Sequence, residues 1–136
     1  MTMTFDRLTV SLLTLRLSIF MVMMIWTVDK IINPTHALKV YSTFYSINTT
    51  DTVMSMLAIA EALLLIAFLF GIKRFLSYGL VFVLHGVSTL SSWQHYLAPF
   101  EGSNLLFFAA WPMLAGCLVL FLYRDSDQLL TLSRLS

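Results

Sequence analysis

The sequence predicts an all-α membrane protein. It is expected to be a bundle of four transmembrane helices with both termini in the cytoplasm and a short amphipathic helix in the first outer loop. Composition is the first reason: of 136 residues, 59% are hydrophobic and only 11% charged, with mean hydropathy +0.86. A soluble domain carries about a quarter charged residues. The second reason is length. Crossing the hydrocarbon core takes about 20 largely apolar residues, and four stretches qualify, roughly 9–32, 52–72, 75–97 and 104–123. The third is charge placement. Arg7, Arg16, Lys73, Arg74, Arg124 and Arg134 fall on one side of such a bundle, with only Lys30 and Lys39 on the other. Basic residues concentrate in cytoplasmic loops, so the basic side is read as cytoplasmic.

Each boundary has a chemical cause. Asn33-Pro34 ends the first span, because the residue before proline is pushed out of the α region. The first apolar run is too long for a signal peptide and lacks a small-residue cleavage site. Gly71 with Lys73-Arg74 turns the second span into the third, and Pro99 with Glu101-Gly102-Ser103 closes the third. Between the first two spans, Leu38, Val40, Tyr41, Phe44 and Ile47 recur at helical spacing. This predicts an amphipathic helix lying on the membrane surface. The tail after Tyr123 carries Leu129, Leu130, Leu132 and Leu135 and is expected on the inner surface or docked on a partner. The whole chain, 1–136, reads as a single transmembrane domain.

A net charge of +1 gives no basic face for nucleic acid. The single cysteine, Cys117, excludes an intramolecular disulfide and a CxxC redox pair. Ionisable groups inside a bilayer are costly and face the bundle interior, which singles out Arg16, Glu61 and His85. Glu61 lies twelve positions before Lys73 and His85 eleven after Arg74. Folding the hairpin at that turn puts the two at depths differing by about 1.5 Å. Tyr78, His85 and Ser92 recur every seven residues, with Ser88, Thr89 and Tyr96 on the same polar stripe. The functional reading is a proton-passing Glu61–His85 pair tuned by Arg16, beside a bound quinone. The structural alternative is that these groups hydrogen-bond one another and fix helix register.

At the outer end, Asp29, Lys30, Trp26 and His95 are candidates for a mouth that takes a quinone head group, with His36 close by. Interfacial residues in contact with water are the competing reading. No metal site is expected. His85 and His95 lie about 15 Å apart on one helix, a haem between His36 and His95 pairs a loop with a helix, and only depth brings His85, Cys117 and Met24 together for copper.

The order of these features resembles the DoxX-like family of small bacterial membrane proteins, related to DoxD and MauE. The matching parts are Arg16 early in the first span and Lys30 at its end. They continue with Ala60-Glu61-Ala62-Leu63-Leu64-Leu65 leading to Leu69-Phe70-Gly71-Ile72-Lys73-Arg74. Thr27-Val28-Asp29 departs from the pattern, in which a glycine is common before the lysine. The resemblance implies a four-helix bundle in the bacterial inner (plasma) membrane and an association with respiratory, sulfur or thiol redox chemistry. It supports Arg16, Lys30 and Glu61 as positions of interest and assigns no catalytic set.

Two functions are expected on these grounds. One is a redox-linked membrane protein, as an enzyme a quinone-linked oxidoreductase subunit, working with a membrane or periplasmic electron-transfer partner. The other is a non-catalytic anchor or assembly subunit of a larger complex, docking through the small residues Ala109, Ala110, Ala115 and Gly116 around Pro112. Partners on either reading are the lipid bilayer and a partner protein, or further copies of the chain in a homo-oligomer.

Overall fold

A computed structural model of the protein describes residues 6–132. Arg134 of the basic set and Leu135 of the tail lie outside the described residues. Within them the chain is all-helical, with no strand. Its elements are α1 (Arg7–Ile32), α2 (Pro34–Tyr45), α3 (Asp51–Leu69), α4 (Arg74–Ser91), α5 (Trp93–Leu97), a 3-10 segment (Asn104–Ala109) and α6 (Ala110–Leu122).

Local chemistry sets the ends. Asp6 caps α1, its Oδ1 accepting from the Thr9 N–H at 2.7 Å and so satisfying one of the free first-turn donors. That contact also holds the exposed Asp6 carboxyl below the usual carboxylate range. Pro34 opens α2, where its missing N–H costs nothing. Ser46, in the left-handed region at φ 55°, closes it. Thr50 caps α3 through the Val53 N–H at 3.4 Å. Gly71 (φ 63°) and Lys73 (φ 47°) then reverse the chain into α4.

Among the described residues, three helical segments are long and apolar enough to cross a membrane: Arg7–Ile32, Asp51–Leu69 and Asn104–Leu122. The stretch expected as a third span over 75–97 is interrupted instead, because α4 stops at Ser91 and the chain turns at Ser92 into α5. Side-chain hydroxyls at the break compete for the helix carbonyls. Thr89 Oγ1 donates to the His85 carbonyl at 2.8 Å, Ser92 Oγ to the Ser88 carbonyl at 3.1 Å, and the Tyr96 hydroxyl to the Thr89 carbonyl at 2.9 Å. Over 104–123 the first six residues form a 3-10 segment rather than α. Pro112, three residues into α6, has no N–H to return to the Phe108 carbonyl, which breaks the α pattern just upstream.

In the bundle, α1 packs against α3 and α6, and α4 packs against the same two. Leu12, Ile19, Leu65, Phe68, Val81 and Leu120 form the core with Cys117. Gly116 lets α1 and α6 approach closely: a Cβ there would meet Leu15 Cδ1 at 2.9 Å. The polarity of the molecule is inverted relative to a soluble fold. Arg16, Thr27, Ser77, Thr89, Ser92 and Asp127 are buried, while Ile32, Leu63, Phe75 and Leu106 are 64–75% exposed. Apolar surface on that scale marks a lipid or partner interface.

Both connecting segments pack onto the bundle. The helix expected on the membrane surface, now α2, packs on α1, α3 and α4 and roofs one end of the bundle. The tail, expected on the surface or on a partner, folds into the opposite end. The Leu132 N–H donates to the Phe70 carbonyl at 2.8 Å, and Arg74 donates to the Arg124 carbonyl at 3.2 Å and to Thr131 Oγ1 at 3.1 Å. Leu129 and Asp127 are buried there.

Candidate functional site

Beneath α2 the bundle forms a half-open cleft of about 910 Å³, walled by α1, α2, Glu61 of α3, α4, the 3-10 segment and the start of α6. Its walls are mostly apolar, with Trp26, Phe44, Leu84, Phe107, Pro112 and Met113 among them. The charged side chains reaching it are Lys30 and Glu61, and His85 lines the same space. A cleft of this size and character is the usual form of a small-molecule site.

The Lys30–Glu61 pair follows from helix geometry. The buried stripe of α1 runs through Leu12, Arg16, Ile19, Met23 and Thr27, and Lys30 continues it one turn further. Side chains lean toward the N-terminus of their own helix. The Lys30 stem therefore reaches back into the bundle, where its ammonium donates to Glu61 Oε2. Thr27 Oγ1 donates to Glu61 Oε1 at 3.0 Å, so both carboxylate oxygens are held. The Lys30 ammonium also lies 5.5 Å from the centre of the Tyr41 ring, within cation–π range. Helix α2 is thereby tied to the ion pair beneath it.

His85 is on the cleft wall, and its Nε2–H donates to the Ala110 carbonyl at 3.1 Å. It does not hydrogen-bond Glu61: the two border one cleft, but their bonds go to different partners. The expected group at the outer mouth is divided. Asp29 accepts from His36 Nδ1–H at 2.6 Å and from Asn33 Nδ2 at 3.0 Å, on the outer side of α1. His95 donates from Nδ1 to Asn104 Oδ1 at 2.6 Å and stacks on Phe107 at 4.1 Å, with Phe44 at 5.3 Å. Asp29 and His95 are thus not brought together. Trp26 does line the cleft. Among the described residues no group of three or more His, Cys, Asp or Glu side chains converges as metal ligands would.

Arg16 belongs to a second polar centre that sequence reasoning missed. It does not tune Glu61. Leaning toward the N-terminus of α1, it points to the opposite end of the bundle and pairs with Asp127 Oδ2 at 2.8 Å. It also donates to the Tyr78 hydroxyl at 3.0 Å and to the Leu129 carbonyl. Tyr78 passes the contact on, donating to the same Asp127 oxygen at 2.7 Å. Arg16 and Asp127 are both 0% exposed. The available signal was the charge balance: a buried arginine requires an acid, and Asp127 lies on the basic side just past the last span.

Fold and site together define an integral membrane protein, all-helical, with an apolar-walled cleft that carries one ion pair and one histidine. No protein-family model, curated protein or solved structure matches the chain.

Proposed function

We propose that the protein is a redox-linked membrane protein that binds a quinone in the cleft beneath α2. The observation that carries this is the cleft itself, about 910 Å³ of mainly apolar wall with the Lys30–Glu61 pair and His85 set into it. A flat ring with an apolar tail matches such walls, and a carbonyl oxygen of the ring is matched by the Lys30 ammonium. Reducing a quinone to a quinol consumes two electrons and two protons. On this reading the electrons come from a membrane or periplasmic redox partner protein, and Glu61 and His85 relay the protons. Lys30, tied to Glu61, holds the carboxylate in place.

The same reading gives the chain four membrane helices, with α4 as the shortest, and puts both termini on the cytoplasmic side of a bacterial inner membrane. The basic residues Lys73, Arg74 and Arg124 at the tail end support that orientation. On the same reading the chain is related to the DoxX-like family. Of the three positions the likeness singles out, Lys30 and Glu61 meet at the cleft and Arg16 anchors the tail.

Trp26 supplies the test, since it lines the cleft while Trp93 and Trp111 do not. Titrating a short-chain quinone into the protein in mild detergent should quench tryptophan fluorescence saturably, and Trp26→Phe should remove most of that change. Quenching that is linear in quinone, or unchanged in Trp26→Phe, would sink the assignment and favour the anchor or assembly role.

A further inference from the structure

The tail end carries a second concavity, of about 470 Å³, lined by Lys73, Arg74, Phe75, Leu76, Arg124 and Asp125. Three cations thus face one carboxylate. None of the three forms an ion pair among the described residues, where the pairs are Arg16–Asp127, Lys30–Glu61 and His36–Asp29. Arg74 spends Nη1 and Nη2 on the tail, and its Nε is buried without a hydrogen-bond partner. Arg124 donates to the Phe121 carbonyl at 2.8 Å, and its guanidinium lies 5.4 Å from the Phe75 ring centre and 5.0 Å from that of Phe121. Those rings hold the guanidinium at the rim of the concavity without neutralising it.

The apolar neighbours indicate what occupies the site. Phe75 is 68% and Leu76 58% exposed, and both lie at the start of α4, beside the charges. A soluble anion has no use for exposed phenyl and isobutyl groups next to its site. An anionic lipid does, because its phosphate and its acyl chains leave the interface in opposite directions. We propose that this concavity binds the phosphate of an anionic phospholipid, with Lys73 and Arg124 as the phosphate-contacting residues and Phe75 and Leu76 against the acyl chains. Lysine supplies a movable point charge and arginine a planar fork of donors, a combination that suits a phosphodiester. The site is independent of the cleft reading.

The test uses delipidated full-length protein returned to nanodiscs of phosphatidylcholine, with or without phosphatidylglycerol. Phosphatidylglycerol should raise the melting temperature and remain with the protein on re-extraction. In Lys73→Gln/Arg124→Gln, retention should fall about tenfold or more, since each basic group near the surface adds roughly one kcal/mol of attraction. Lys39→Gln, which removes the same charge type at the α2 end, should leave retention unchanged. Equal retention in the double variant, or equal stability in the two lipids, would overturn the site. Matching stabilisation by inorganic phosphate without lipid would overturn the lipid assignment. If the double variant does not fold, the comparison of the two lipids on the unmodified protein decides.

Discussion

Arg16 and Asp127, 111 positions apart in sequence, form an ion pair at 2.8 Å with neither side chain exposed. Tyr78 bridges them, accepting from Arg16 and donating to Asp127. Such a pair is retained because each charge is intolerable without the other. Removing one partner of a buried pair costs about 3–5 kcal/mol, whereas replacing both with well-packed apolar groups is often neutral. Asp127→Asn is therefore expected to destabilise the protein by about that amount, read as denaturant or thermal unfolding in mild detergent. Arg16→Met/Asp127→Leu should recover most of the loss, and a double variant no better than Asp127→Asn would contradict this account of the tail.

The tail depends on Gly71 as well. At φ 63° this residue sits where a side chain is disfavoured, and a Cβ would come within 2.8 Å of Thr131 Cγ2 and 3.0 Å of Thr131 Cβ. Threonine is branched at Cβ and cannot swing away easily. Gly71→Ala should cost about 1–2 kcal/mol and loosen the Arg74–Thr131 contact. Proteolysis should then cleave after Arg124 or Arg74 faster than in the parent. A cleavage pattern identical to the parent's would count against tail docking through this turn.

Glu61 is held by two donors and borders the cleft. On the proposed quinone reading, Glu61→Gln keeps the shape of the side chain but cannot take up and pass a proton, so quinone-coupled turnover should be abolished while the folded protein persists. Lys30→Met should be the more destabilising change, because it leaves Glu61 with only Thr27. A Glu61→Gln variant with normal turnover would eliminate the carboxyl as a relay.

Phe44 connects α2 to the far wall through His95 and Phe107. Phe44→Ala should weaken quinone binding roughly tenfold with a smaller effect on stability, since loss of a well-packed aromatic anchor is typically worth a kcal/mol or more. Unchanged affinity would mean that α2 does not form part of the binding wall.

Much of this was legible in the sequence. The helical composition, the Asn33-Pro34 and Gly71–Arg74 boundaries, the amphipathic segment after the first span and the interior placement of Arg16 and Glu61 all follow from apolar run length and turn chemistry. What sequence reasoning lacked was direction. Arg16 and Lys30 share one stripe of α1, and residue counting placed Arg16 near enough to Glu61 to tune it. Both side chains lean toward the start of α1, however, so Lys30 reaches inward to Glu61 and Arg16 reaches outward to the tail. The Ser92 break was concealed because Thr89, Ser92 and Tyr96 read as one polar stripe. Their hydroxyls in fact cap carbonyls and end the helix there. Asp127 was missed because tails beyond a last span are ordinarily surface segments, and only the unbalanced charge of Arg16 argued otherwise.

Quinone content tests the central claim most directly. An organic extract of gently purified protein should contain about one quinone per chain. The same extract from Ser88→Phe, which fills the cleft with a ring while keeping the fold, should contain little. Stoichiometric quinone in the parent and its loss in Ser88→Phe is the predicted result. No quinone in the parent, together with no saturable binding when it is added back, would contradict the account and leave the anchor or assembly role in its place.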